Sequence, residues 1–186
     1  MAKKKSKKNM LNLVLAIVVI VLAVVTVCTL FMPVFTSKTT VLGSTSTSHI
    51  KGVDVITAAF KGETSTDLSN GANSLIYLKN GDDAGFVTGL FCWMYFLAVV
   101  VSAAIIVFAV LRMFGFRFKL VNTILSIALI ALAIVAFICG FVVAGKFTSV
   151  AFGGVVEGKT IASAGNYLML LAVACGGTDA YLARQK

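Results

Sequence analysis

Long apolar runs alternate with shorter polar intervals along the chain. The first run, 10–32, has Asn12 as its only strongly polar member. At about 1.5 Å per residue, such a run crosses a hydrocarbon core of about 30 Å. A polar interval, 33–85, follows. Two uncharged runs, 86–111 and 120–145, then flank a short basic stretch at 112–119. A second polar interval, 146–162, precedes the last run, 163–182, which carries Asn166 and Asp179 and is the weakest of the four. This pattern predicts an all-α membrane protein, a bundle of four transmembrane helices with tails at 1–9 and 183–186. The one proline, Pro33, lies at the end of the first apolar run, so no apolar interior carries a proline break.

The first polar interval is the only part with enough consecutive hydrophilic residues to fold in water. Strand propensity fits Thr39-Thr40-Val41-Leu42 and Thr47-Ser48-His49-Ile50, separated by Gly43. Ser74-Leu75-Ile76-Tyr77-Leu78 followed by Asn80-Gly81 is a further strand-and-turn signal. The segment from Gly52 to Phe60 sets Val53, Ile56 and Phe60 on one helical face, and the same residues also fit a strand. In the second interval, Gly153-Gly154 separates short apolar patches, which reads as a small hairpin. The expectation is a small β-rich domain, with the second interval adding an edge.

Composition agrees with the pattern. Hydrophobic residues make up 59% of the 186 and charged residues 12%, against about a quarter charged in soluble domains. The net charge of +9 does not point to nucleic acid, because the basic residues cluster beside apolar runs, where they orient a membrane protein. Lys3, Lys4, Lys5, Lys7, Lys8, Arg112, Arg117, Lys119, Arg184 and Lys186 then fall on one side. The other side mixes Lys38, Lys51, Lys61, Lys79, Lys146 and Lys159 with acids. The positive-inside rule therefore predicts a multi-pass protein of the plasma membrane with both termini cytoplasmic and both polar intervals extracellular. The first run also follows a basic stretch, as a signal peptide would, but exceeds the usual h-region of about 7–15 residues. Asn70, Asn73 and Asn80 lack Ser or Thr two positions on, so the glycosylation pattern is missing and a bacterial surface is favoured.

Candidate chemistry is sparse. Small residues recur every fourth position as Ala136, Gly140 and Ala144, and again as Ala172, Gly176 and Ala180. Lipid gives no hydrophobic reward for helix association, so such seams favour close helix packing, within the chain or in a homodimer. Asp179 is the one acid in an apolar run, placed near the inner surface where Arg112, Arg117 or Arg184 could pair with it. Asn166 reads as a cap or hydrogen-bonding residue near the outer end of its helix. Cys28, Cys92, Cys139 and Cys175 all lie in apolar runs and read as small hydrophobes. His49 is the only histidine, and Asp82-Asp83 reads as a solvated turn. The chain has a single histidine and no G-x-S-x-G, so the expectation is a non-enzymatic protein with no cofactor and no metal.

The order of parts resembles the claudin-like tetraspan arrangement across the whole chain. The family's first loop carries W-G-L-W-C-C with a disulfide, whereas here that loop has neither Trp nor Cys, and Gly89-Leu90-Phe91-Cys92-Trp93 lies in the second span. What the resemblance implies is a shape: a small sheet over a left-handed four-helix bundle, with outer loops mediating contacts. The expected function is presentation of an extracellular domain for protein contact or lateral self-assembly. The alternatives are a small oligomeric channel or transporter, and an accessory subunit of a larger membrane complex.

Overall fold

The structure, a computed structural model, describes residues 2–41, 44–62, 71–81, 84–114, 116, 118–151 and 157–184, with side chains for all of these except 2–9, 39–41, 44–46, 147–151 and 157–158. Four long helices carry the apolar runs: α1 (Ala2–Cys28), α4 (Gly85–Met113), α5 (Lys119–Ala151) and α6 (Ala164–Arg184). Between α1 and α4 come β1 (Pro33–Val41), β2 (Ser44–Lys51), α2 (Gly52–Phe60) and α3 (Gly71–Lys79), and β3 (Glu157–Ala162) leads into α6. Among the described residues three segments are long and apolar enough to cross a membrane: Met10–Phe31, Gly85–Met113 and Lys119–Lys146. With a small sheet added, this is a membrane protein of the all-α class. Helix α6 is not among these three, because Asn166 and Asp179 dilute its apolar character.

Helix α1 packs on α4 and α6, and α5 packs on the same two. The apolar positions that recur at helical spacing turn inward: Val19 and Ala23 on α1, Ala98 and Ile105 on α4, Leu129 and Ala133 on α5, Met169 and Ala172 on α6 are all buried. Outward positions such as Leu13, Val107, Ile127 and Ile138 are exposed, though apolar. That is the distribution lipid requires, since backbone groups are satisfied within each helix and the outer face needs only hydrocarbon.

The strands form one antiparallel sheet in the order β2-β1-β3. Alternation along β1 sends Phe35 and Ser37 inward, and their cross-strand partners Ile50, Ala162 and Thr160 are buried with them. Phe35 packs on Phe91 of α4, with ring centroids 5.3 Å apart, and Phe91 in turn lies 5.9 Å from Tyr95. The sheet, α2 and α3 therefore form a head seated on one end of the long helices. The opposite end, where α4 stops and α5 starts, is the foot.

Three expectations change. Residues 74–78 are helical, inside α3, because Ala72, Leu75 and Ile76 make a buried helical stripe against α2 and α4. The strand pattern placed Ser74, Ile76 and Leu78 on one face, but tertiary packing decides between the two periods. The hairpin expected in the second polar interval is not formed by the described residues: α5 continues to Ala151, and β3 pairs with β1 instead. Residues 52–60 are helical, yet Val53 and Phe60 are exposed while Val55, Ala58 and Ala59 are buried. Phe60 then stacks at 5.1 Å from Trp93 and 4.9 Å from Phe96 of α4.

Candidate functional site

The foot holds a buried ion pair with polar neighbours. Arg112 ends α4, Asn122 and Ser126 lie one turn apart on α5, and Asp179 lies near the end of α6. Arg112 Nη2 is 2.9 Å from Asp179 Oδ1. Ser126 Oγ is 2.9 Å from Asp179 Oδ2 and 2.7 Å from the Asn122 carbonyl, so a single hydroxyl proton serves two acceptors. Asp179 and Ser126 are fully enclosed. Neither terminal nitrogen of Arg112 has an aligned hydrogen-bond acceptor, so its link to Asp179 is a charge contact. A charge without water must be paired; the pair joins α4 to α6, and Ser126 adds α5.

Of the arginines foreseen as partners, Arg112 is the one that meets Asp179. Arg184 lies exposed at the end of α6, and Arg117 lies outside the described residues. Ser126 escaped the sequence reading. Its only signal was the Asn122–Ser126 spacing, which puts both polar residues on one helical face in an otherwise apolar stretch.

The small-residue seams meet partners inside the chain. A Cβ on Gly140 would run into the Asn166 amide, 2.8 Å from its Cγ. A Cβ on Gly176 would lie 2.7 Å from the Ser126 carbonyl oxygen and 2.8 Å from Ile130 Cγ1. Ala136, Ala144 and Ala172 are buried, and Ala180 is half-buried. Asn166 is completely buried, and neither atom of its side-chain amide has a hydrogen-bond partner.

At the head, backbone and hydroxyl contacts lock sheet to helices. Ser163 N–H donates to the Val34 carbonyl at 2.7 Å, tying the start of α6 to β1. The Tyr95 hydroxyl donates to Thr29 Oγ1 at 2.9 Å, and Thr29 donates onward to the Thr26 carbonyl at 2.6 Å. Gly52 lies over this relay: a Cβ there would sit 2.6 Å from the Thr29 carbonyl oxygen and 2.7 Å from Leu30 Cα. Lys79 Nζ donates to the carbonyls of Ala58, Ala59 and Lys61 at 3.0, 3.2 and 3.3 Å, capping α2 where its carbonyls are otherwise unmet.

The remaining candidates do not converge. Cys92 and Cys175 are buried, Cys28 is exposed and Cys139 is half-buried. Cys175 Sγ sits 3.5 Å from the Val19 carbonyl, an α6–α1 contact. Among the described residues no three His, Cys, Asp or Glu side chains gather as metal ligands. His49 Nδ1 is 3.1 Å from Thr36 Oγ1, which also meets Ser163 Oγ. Asp82 and Asp83 lie outside the described residues. No protein-family model, no curated protein and no solved structure matches the chain.

Proposed function

We propose that this chain is a non-enzymatic tetraspan protein of the plasma membrane, in which α1, α4, α5 and α6 form a claudin-like four-helix bundle with both termini cytoplasmic. Its extracellular head serves protein contact or lateral self-assembly. The observation that carries this reading is how the head is held. Ser163 ties β1 to α6, Phe35 stacks on Phe91, and Gly52 lies against the Tyr95–Thr29 pair. Such a head is positioned rigidly by the long helices, as a docking platform needs to be. The strongest buried charge is meanwhile engaged: Asp179 is paired with Arg112 and Ser126. An ion path would use such a carboxylate unpaired or facing water. Counting α6 as the fourth span is supported by its packing against both α1 and α5 and by the pairing of its one acid.

Crosslinking in native membranes followed by size analysis tests the reading. Discrete oligomers or a crosslinked protein partner are expected, and monomer under several crosslinking chemistries would count against it. A second reading, a small oligomeric channel or transporter, draws on the unpartnered amide of Asn166 and the unpartnered Oδ1 of Asn122, both buried. It requires solute or ion flux in liposomes that responds to Asn166→Ala or Asp179→Asn. An accessory subunit of a larger complex would instead copurify with one fixed partner.

A further inference from the structure

The sheet has two unlike faces. One packs Phe35, Ile50 and Ala162 on the long helices, and the other carries Thr36, Lys38, Thr47, His49, Lys159 and Ile161. On this second face Lys38 and Lys159 are direct cross-strand partners. Antiparallel partners stand about 4.5–5.5 Å apart at Cα. Like charges so placed are destabilising unless something neutralises them. Neither lysine is in an ion pair with a described residue, and both are exposed. Glu157, two residues along β3 at the register position of Thr40, is the one acid in the sequence of the three strands, against Lys38, Lys51 and Lys159. Hydroxyls from Thr36 and Thr47 and the ring of His49 lie beside the pair in the β1–β2 register.

We propose that this face binds an anionic, hydroxyl-rich polymer, a phosphodiester-linked polyol or glycan, with a phosphate lodged between Lys38 and Lys159. Charge complementarity selects the anion, and the lysine ammonium is a compact point charge that suits a phosphate oxygen. The Thr47 hydroxyl supplies a donor and an acceptor for polyol hydroxyls, whereas the Thr36 hydroxyl is engaged by His49 and Ser163. No Phe, Tyr or Trp occupies the face over the paired strands, where the His49 ring stands alone, so the run of stacking rings that single-stranded nucleic acid uses is missing. The proposal rests on the extracellular placement of the head, where such polymers are met.

The test uses the full chain in nanodiscs of zwitterionic lipid, with poly(glycerol phosphate) as the probe and neutral dextran and polyglutamate as comparators. The expected result is salt-sensitive binding of poly(glycerol phosphate) alone. Lys38→Gln or Lys159→Gln should weaken it about five-fold each, and Lys61→Gln, exposed elsewhere on the head, should leave it unchanged. Either sheet variant should also melt no lower than the parent without polymer, because a like-charge pair has been removed. The proposal is overturned by absence of binding, by indifference to both lysine variants, by lower melting of those variants, or by polyglutamate binding as tightly. Nanodiscs expose both membrane sides, so failure to bind speaks against this face alone and leaves the head's placement to sidedness experiments.

Discussion

The Asp179 carboxylate lies 2.9 Å from the Arg112 guanidinium, and Ser126 approaches its second oxygen at the same distance. One acid on α6 thus holds the end of α4 and the start of α5. Asp179→Ala would leave the Arg112 charge enclosed and unpaired, at a cost of about 3–5 kcal/mol. Thermal unfolding in detergent should show this, and the double variant Arg112→Met with Asp179→Leu should recover most of the loss. Full stability of Asp179→Ala would contradict the pairing.

Adjacent glycines on α6 separate packing from backbone propensity. Gly176 faces the Ser126 carbonyl at 2.7 Å from an added Cβ, whereas such an atom on Gly177 meets nothing within 4 Å. Gly176→Ala should cost about 1–3 kcal/mol through overpacking. Gly177→Ala should be neutral or stabilise by about 0.5–1 kcal/mol, since alanine is the better helix former. Equal effects in the same unfolding assay would show that α5 and α6 do not meet as described.

Asn166 and Gly140 should behave as a coupled pair. Gly140→Ala drives a methyl group into the Asn166 amide, so the substitution should destabilise the parent. In an Asn166→Ala background it should cost little, because space has been opened. Asn166→Ala alone removes two unpartnered polar atoms and should cost less than about 1 kcal/mol. A double-mutant cycle reads the coupling, and additivity would remove the contact.

Lys79 caps α2 through three carbonyls. Lys79→Gln should weaken the head by about 1.5–3 kcal/mol, the range for hydrogen bonds to charged groups. Amide exchange should rise in α2 and leave the buried turns around Cys175 unchanged. Unaltered exchange in α2 would show that the cap contributes nothing.

Much of the long-helix framework was legible because run length and absence of charge are local properties, visible at 86–111 and 120–145 without any partner. The end of β1 at 39–41 and most of β2 at 47–50 were legible for the same reason, as β-branched and hydroxyl residues near Gly43, while the start of β1 at 33–38 was not. Residues 74–78 were not: Leu75, Ile76 and Leu78 satisfy both periods, and contacts with α2 and α4 choose the helix. At the foot, Asp179 stood out as a lone acid in an apolar run. Ser126 did not, because a helical serine ordinarily bonds its own backbone, here the Asn122 carbonyl. Its second role needs a residue far away in sequence. Likewise the spacing of Gly140 and Gly176 signalled a seam, while their opposites, Asn166 and Ser126, emerge only from the packed chain.

In the proposed arrangement, four crossings put the head on one side of the membrane and the foot with both termini on the other. Single cysteines introduced at Lys61 in the head and at Lys119 and Arg184 in the foot, all exposed positions, report this directly when intact cells are treated with a membrane-impermeant maleimide. The parent chain, whose four cysteines lie in the long helices, sets the background. Lys61→Cys should be labelled in intact cells, and Lys119→Cys and Arg184→Cys only after permeabilisation. Labelling of Arg184→Cys in intact cells while Lys119→Cys stays protected would contradict it, since α6 would then not return the chain to the cytoplasmic side.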